Sequence, residues 1–379
     1  MDQVLGSGRL RVMFLCATLS GGGAERFVST SLRVLPRERF APALAVLRRQ
    51  LEYPLPDDVP VYSLDKAGGP HGIPLAVLRL ARLVDRVRPD VVLGSYAFAN
   101  EILGEALRLA RHRPRFIARI ANNVDKVESH LRSPLKRWIA GRWLDRSLRR
   151  ADVIMPNAQG LAGQLTGRTP EWAGKITVVP NPTDFEYIDR LAAQANPVPR
   201  CRDRRRIVAV GRFNPAKRYD RMLQAFAAAL RDQAVELVVC GDGPLRPEIE
   251  ARIRALGLSA QVRLAGFLSN PYPVIASADL FLLTSDYEGL PNALIEAQGL
   301  GIPAISTDCP TGPNEIIDPG VTGVLTPLGR DDELVAALRR WHAAPFVAPM
   351  PEAAASARSK FGLPKILCRL EDLLAPRAG

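Results

Sequence analysis

Short runs rich in Val, Ile and Leu alternate with stretches of helical apolar spacing along nearly the whole chain, and the pattern runs through twice. In the first half the runs fall at 10–17, 43–47, 61–64, 91–95, 116–119, 153–156 and 176–180, with helical spacing between most of them, including 74–88 and 100–111. The pattern restarts with runs at 207–210, 236–240, 262–264, 280–283 and 304–306, separated by helical spacing at 219–230, 245–256 and 292–300. Strands joined by helical crossovers lie parallel, so the sequence predicts two doubly wound α/β domains. Pro180-Asn181-Pro182-Thr183-Asp184, followed by a polar stretch up to Arg206, is the expected linker, because prolines two apart continue neither a strand nor a helix. The expected domains are 1–184, 185–350 and a C-terminal helical segment, 351–379, that packs back on the first. Ligands of open parallel sheets gather beyond the carboxyl ends of the strands, and a cleft between two such sheets suits a substrate in two parts.

Composition narrows the function. Of 379 residues, 47% are hydrophobic and 24% charged, which is ordinary for a globular protein of two domains. Only 6% are aromatic, which argues against a platform that stacks bases. The five cysteines, Cys16, Cys201, Cys240, Cys309 and Cys368, stand far apart, so neither a zinc site nor a disulfide scaffold is expected and a reducing compartment is. No run of about 18 apolar residues occurs. Arg9 and Arg11 before the apolar 12–19 could imitate a secretion signal, but Ser20-Gly21-Gly22-Gly23 leads into helical spacing through Phe27, Val28, Ser31, Leu32 and Leu35. A strand, a glycine turn and a helix explain the segment without cleavage, and the expected location is cytoplasmic.

Charge is uneven. Residues 1–184 hold 28 Lys+Arg against 17 Asp+Glu, a net of +11, whereas 185–379 hold 23 against 22, a net of +1. Within 131–150 seven cations, Arg132, Lys136, Arg137, Arg142, Arg146, Arg149 and Arg150, face a single acid, Asp145. Leu135, Trp138, Ile139, Trp143, Leu144 and Leu148 share one stripe of a helix there. Two readings stand: a helix lying on an anionic membrane surface, or a domain helix with its stripe on the core and solvated arginines outside.

Three glycine turns fall at carboxyl ends of strands. Gly21-Gly22-Gly23 opens a helix, whose free N–H groups and positive dipole end would face an anion. In Gly211-Arg212-Phe213-Asn214-Pro215-Ala216-Lys217-Arg218 a guanidinium and an ammonium bracket a loop and could hold a diphosphate, the alternative being a solvated basic loop. Gly241-Asp242-Gly243-Pro244-Leu245 permits close approach of a ligand. The most specific stretch is 284–297. There Glu288 follows an apolar strand, and Glu296 lies eight positions later in a helix opening near Pro291 and Asn292. Were both helical, eight residues would place them about 12 Å apart along the axis, too far to work as an acid and nucleophile pair on one glycosidic bond. They could hold different hydroxyl-bearing parts of an extended ligand. Glu296 is the lone carboxylate of the otherwise uncharged stretch 289–307, and a buried carboxylate needs a partner.

Gly211-Arg212 with Lys217, Gly241-Asp242-Gly243-Pro244-Leu245, Gly266-Phe267, the Glu-x7-Glu spacing of Glu288 and Glu296, and Gly312-Pro313-Asn314-Glu315-Ile316-Ile317 together resemble the retaining glycosyltransferases of family four. The resemblance is dense over 206–327; in the first half it rests on Gly21-Gly22-Gly23-Ala24-Glu25-Arg26 and Asn181-Pro182. It implies the GT-B arrangement, two Rossmann-like domains facing across a cleft, with the acceptor in 1–184 and the nucleotide sugar in 185–350. It implies that Arg212 and Lys217 hold the donor diphosphate, that Glu288 meets the transferred sugar and Glu296 the ribose hydroxyls. Gly211 and Gly241 would let the donor approach the backbone, Gly289, Leu290 and Pro291 would line the phosphate and sugar site, and Gly266 and Phe267 would border the base. Gly22 and Gly23 would close on the phosphates from the other domain. Many relatives carry a His after the strand matching 116–120; here the stretch reads Arg119-Ile120-Ala121-Asn122-Asn123 and the next imidazole is His130, so Arg119 and Asn122 are expected to serve the sugar or acceptor. No Asp-x-Asp occurs, so neither a metal nor a cofactor is expected.

The leading expectation is a retaining glycosyltransferase, UDP-sugar favoured, acting on a lipid-linked or saccharide acceptor in cell-surface polysaccharide or lipopolysaccharide synthesis, with an anionic membrane as a further partner through 131–150. The alternative is a sugar-nucleotide epimerase of GT-B architecture. A glycan phosphorylase is disfavoured by chain length and the lack of a clear pyridoxal site. A nucleic-acid binder is disfavoured by low aromatic content and a basic excess confined to one half.

Overall fold

The computed structural model describes residues 8–20, 22–65, 72–122 and 133–375. Two compact units emerge, Met1–Pro182 with Ile366–Gly379, and Thr183–Lys365. The first is built on β1 (Leu10–Cys16), β2 (Phe40–Val46), β3 (Val61–Ser63), β4 (Val91–Gly94), β5 (Arg115–Ile120) and β6 (Val153–Pro156), all parallel in the order β3-β2-β1-β4-β5-β6. The second is built on β7 (Arg205–Val210), β8 (Val235–Cys240), β9 (Val262–Gly266), β10 (Leu280–Leu283), β11 (Ala304–Asp308) and β12 (Gly323–Pro327), parallel in the order β12-β11-β10-β7-β8-β9. Read from its other edge, the second order repeats the first. Each sheet reverses winding beside its first strand, between β1 and β4 and between β7 and β10, and a crevice opens there beyond the carboxyl ends.

Both sheets are covered on both faces, which is why their central strands read as unbroken apolar runs: Val12 through Cys16, and Leu280 through Leu283, are buried. The helix Tyr219–Leu230 buries Met222, Leu223, Phe226 and Leu230, one stripe at helical spacing against β7 and its neighbours. Each such side chain contributes about 1.5–3 kcal/mol of burial.

Several expectations change. The run 176–180 is no strand; returning after the helix Gln159–Arg168, it makes one isolated bridge, Ile176 with Ile154 of β6. Conversely, β12 was not expected. Its Gly323 and Pro327 break the apolar pattern, yet both suit an edge: a Cβ on Gly323 would meet the Ala304 carbonyl oxygen at 2.2 Å. The polar linker holds a helix, Phe185–Ala192, whose Asp184 cap accepts from Tyr187 N at 3.0 Å and whose Phe185 and Ile188 are buried. Beyond it the fully buried Arg206 pins the chain, donating to the Val198 and Pro199 carbonyls at 2.9 and 2.8 Å while paired with Glu236 at 2.7 Å. The C-terminal segment is two helices, Pro351–Phe361 and Leu363–Leu374, parted at Gly362. The first stays with the second unit, where Arg358 reaches the Gly299 carbonyl at 3.0 Å, and the second places Ile366, Leu370, Leu373 and Leu374 in the core around Val12 and Phe14.

The basic segment forms the helix Pro134–Arg150; residues 131 and 132 lie outside the described ones. Its apolar stripe divides. Leu144 and Leu148 are in the core, whereas Leu135, Trp138 and Ile139 are 64%, 59% and 49% exposed. Among the described residues no helix is long and apolar enough to cross a membrane.

Candidate active site

The second unit's crevice, beyond β7 and β10, gathers most of the expected site. After β7 the chain passes Gly211 and the exposed Arg212 into a 3-10 turn, Pro215–Lys217, and Arg218 follows in the left-handed conformation at φ 48°. After β10 it passes Thr284, Ser285 and Asp286 to Glu288. The two loops are bonded to each other. Lys217 Nζ donates to Glu288 Oε1 at 2.6 Å, Ser285 Oγ donates to the same oxygen at 2.6 Å, and Asp286 N donates to the Ala216 carbonyl at 2.9 Å. Thr284 Oγ1 donates to the carbonyls of Lys217 and Arg218 at 3.0 and 3.2 Å.

A second layer of charge fixes this pairing. Arg218 forks onto Asp220 and onto Asp286, whose oxygens also take Arg221 Nη1 at 2.8 Å, and Arg221 Nε reaches Asp331 at 2.8 Å. The Asp220 and Asp286 hydrogen bonds hold the Arg218 guanidinium above its ordinary range. Burial pushes the Tyr219 hydroxyl up, reinforced by the Glu288 charge, and that hydroxyl donates to the Gly211 carbonyl at 2.9 Å. Burial likewise pushes the Cys309 thiol up to about 12, with Glu288 adding to it, so the thiol stays protonated near neutral pH.

The remaining loops close around these. Gly241, at φ +149°, lies so close that a Cβ would meet the Gly211 carbonyl oxygen at 2.0 Å, and Phe213 N donates to the Asp242 carbonyl at 2.9 Å. After β11, Thr311 Oγ1 donates to the Glu288 carbonyl, and a Cβ on Gly312 would meet Pro291 Cδ at 2.6 Å and the Gly289 carbonyl oxygen at 2.7 Å. Gly289, Leu290 and Pro291 thus have a backbone position fixed by a neighbouring loop. Glu296 is 4% exposed in the helix Asn292–Gly299, while Gly266 ends β9 and Phe267 behind it is 72% exposed. The stretch therefore offers an ammonium on a carboxylate, an exposed guanidinium on the same loop, a buried carboxylate on a helix and an exposed ring.

The first unit's carboxyl edge is different. Gly22 precedes the helix Gly23–Val34, and the Glu25 carboxylate lies where a Gly22 Cβ would be, with Oε2 2.1 Å from that point; Gly21 lies outside the described residues. Arg119, at the end of β5, has no exposed surface. Its guanidinium lies 4.0 Å over the Phe27 ring, donates to the Ser95 carbonyl at 3.4 Å and bonds Asn181 Oδ1, and burial pushes its pKa down. It braces the wall and offers no fork to a ligand directly. Asn122 is exposed, and Asn123 and His130 lie outside the described residues. Four buried atoms on this edge have no hydrogen-bond partner among the described residues: Ser95 Oγ, Asn100 Oδ1, Arg119 Nε and Asn157 Oδ1.

Residues 21–187 match the model of glycosyltransferase family 4, and residues 194–358 match that of the glycosyl transferases group 1. The chain belongs to the group 1 glycosyltransferases. This glycosyltransferase is 25% identical over 334 residues to N-acetylgalactosamine-N,N'-diacetylbacillosaminyl-diphospho-undecaprenol 4-alpha-N-acetylgalactosaminyltransferase of Campylobacter jejuni, covering 85% of this chain and 87% of that one. It is 32% identical over 197 residues to lipopolysaccharide 1,6-galactosyltransferase of Salmonella typhimurium, covering 50% and 52%. HepE of Anabaena, solved with UDP and glucose, superposes with a TM-score of 0.78 at 19% identity over 97% of this chain and 99% of that one. The fold is GT-B.

Within this glycosyltransferase, sequence reading passed over the residues that hold the site rather than face it. Thr284, Arg221, Asp286 and Asp331 act across 65 to 110 positions of chain and Thr311 across 23, and nothing local to each announces its partner. Ser95, Asn100 and Asn157 carried one signal, a polar residue directly after an apolar strand or in the first turn that follows.

Proposed function

We propose that this glycosyltransferase works with retention of anomeric configuration, takes a UDP-sugar, and delivers the sugar to a glycan or lipid-linked acceptor in cell-surface polysaccharide or lipopolysaccharide synthesis. The observation that carries the reading is the Lys217–Glu288 pair at 2.6 Å beside Arg212. Arg212 and Lys217 take the donor diphosphate, whose departure develops negative charge that fixed cations stabilise, so no divalent metal is required. Glu288, released from Lys217 as the ammonium turns to phosphate, accepts a hydroxyl of the transferred sugar. Glu296 accepts the ribose hydroxyls, the backbone of Gly211, Gly241, Gly289, Leu290 and Pro291 lines the phosphates and sugar, and Gly266 and Phe267 border the base. Gly22, Gly23 and Asn122 belong to the first unit's substrate contacts, and Arg119 acts there through Phe27 and Asn181.

UDP is favoured because HepE holds UDP, and a lipid-linked acceptor because the Campylobacter relative is named for a diphospho-undecaprenol substrate. The exposed Leu135, Trp138 and Ile139, with Arg142 stacked 4.9 Å over Trp138 and Arg146 and Arg149 exposed, support a protein held at the anionic cytoplasmic face of a membrane. No observation favours the epimerase. Incubation with a panel of sugar nucleotides, reading nucleoside diphosphate release with and without acceptor and product anomers by NMR, tests the reading. UDP release stimulated by acceptor, with the anomer kept and activity surviving EDTA, is expected; inversion, or rescue of a chelated enzyme by magnesium, would contradict it. For the membrane, Arg142→Glu with Arg146→Glu and Arg149→Glu is expected to abolish flotation with anionic vesicles, and a wild-type protein that ignores such vesicles at low salt refutes it.

A further inference from the structure

On the first unit, at the opposite edge of the sheet from Arg119 and Asn122, a cavity of about 590 Å³ is lined by Leu107, Arg108, Arg113, Pro114, Arg115, Phe116, Arg150 and Asp152. Arg115 begins β5 and Asp152 directly precedes β6, so the cavity opens at the amino ends of these strands. A six-residue strand spans about 20 Å, which separates the cavity from the substrate edge. Its floor is apolar, from Leu107, Pro114 and the buried Phe116, and its rim is four guanidinium groups against one carboxylate.

The bland account is that these arginines only serve the two helix ends that meet here. Arg113 Nη1 does reach the Leu107 and Ala110 carbonyls, and Arg115 Nη1 reaches the Leu373 and Ala375 carbonyls at 2.5 and 3.2 Å. The donors do not stop there. Arg108 and Arg150 share Glu105 through Nη1 at 2.9 and 3.0 Å, so the hydrogen bonds described for Arg108, Arg113 and Arg150 use one terminal nitrogen each. The other N–H groups of each fork, Nε and Nη2, remain to be engaged. Asp152 is already committed, its Oδ2 accepting Phe116 N at 2.7 Å. Several planar forks around one cavity, two of them sharing a single carboxylate, is an arrangement that binds a phosphoryl group bidentately. The apolar floor adds room for an uncharged portion attached to it.

We infer that this cavity is a second anion site that takes a phosphate ester, either the headgroup of an anionic lipid or a soluble phosphorylated compound. The site is independent of the donor chemistry proposed above and stands or falls separately from it.

Inorganic pyrophosphate is the probe, titrated calorimetrically into wild type, Lys217→Ala and the double variant Arg108→Gln/Arg113→Gln. One binding component is expected to survive in Lys217→Ala and to weaken at least about tenfold in the double variant, whose UDP affinity stays at the wild-type value. A double variant that binds pyrophosphate as wild type does overturns the site. A thermal melt without ligand checks the fold. Should the glutamines prevent folding, Arg108→Lys/Arg113→Lys keeps the charge, removes the forks and is expected to show the same loss, while full pyrophosphate binding by the lysine variant overturns the bidentate site. The source is then read by flotation with phosphatidylcholine vesicles with and without phosphatidic acid: loss of phosphatidate-dependent flotation in the double variant assigns a lipid headgroup, and retained flotation beside lost pyrophosphate binding assigns a soluble ester.

Discussion

The two sheets of this glycosyltransferase have the same winding, and their carboxyl edges are finished differently. Beyond β7 and β10 the polar groups are cross-bonded: Lys217 and Ser285 on Glu288, Thr284 on Lys217 and Arg218, Arg221 bridging Asp286 and Asp331. Beyond β4, β5 and β6 the buried Ser95 Oγ, Asn100 Oδ1, Arg119 Nε and Asn157 Oδ1 are unpartnered among the described residues. A buried polar atom left without a partner costs about 1–3 kcal/mol, and among the described residues the first edge holds four of them where the loop after β7 holds one, Asn214 Oδ1, so the unmet demand for hydrogen bonds is larger on the first edge. One fold can thus cross-bond the charges on one sheet edge and leave more of the buried polar atoms unmatched on the other.

The largest effects should fall on the cross-bonded edge. Arg212→Ala and Lys217→Ala are each expected to lower kcat/KM by about ten- to a thousandfold, because in the proposed function each removes a cation from the departing diphosphate. Steady-state kinetics with purified protein of unchanged melting temperature decides it, and wild-type turnover in both would erase the distinction between the edges. Next comes a division within that edge. Glu296→Ala should weaken UDP binding at least about tenfold with a smaller effect on single-turnover rate, and Glu288→Ala the reverse; equal effects of both on both quantities contradict separate roles.

Glycines sharpen the comparison at the level of stability. Gly241→Ala drives a Cβ to 2.0 Å from a carbonyl oxygen at a positive φ and should cost about 2–4 kcal/mol in a denaturant melt. At Gly22 a Cβ meets only the movable end of Glu25, so Gly22→Ala should cost under about 1 kcal/mol. Similar losses at the two sites would show that the first edge is as tightly packed as the second.

Acid should not separate the units. Hydrogen bonds from Lys360 and Ser356 depress the Asp318 carboxyl in the second unit; in the first, burial raises Asp90 but the Arg11 hydrogen bonds outweigh it and the net shift is also downward. Depressed carboxyls contribute stability above the ordinary value of about 3.9, and the contribution fades as pH falls through the lower folded value. Asp318→Asn and Asp90→Asn should each cost about 1 kcal/mol or less at pH 7, since both pairs are partly exposed, and should match wild type near pH 2.

What the sequence disclosed follows the same divide. Gly241 and Gly312 sit at positive φ in turns where a Cβ would meet a carbonyl oxygen, so with Gly211 they betray the loops, and the apolar runs betray β7 to β11. The pairing of Lys217 with Glu288 spans 71 positions and is set by winding, which no local pattern encodes. The helix Phe185–Ala192 escaped because eight residues with two buried side chains look like a polar stretch. The basic helix carries one stripe in sequence and two environments in space, because helical spacing tells which residues share a face and says nothing of where the core ends. Arg119 sits on a strand end, where a ligand group was expected, and its full burial against Phe27 turns it into a brace.

In the proposed function Lys217 and Glu288 act as one unit on the donor, and a double-mutant cycle on single-turnover transfer measures that coupling. Lys217→Ala, Glu288→Gln and the pair should show a coupling of at least about 1 kcal/mol, the double variant being little slower than the worse single. Additive losses, with the double variant slowed by the product of the two, would contradict it.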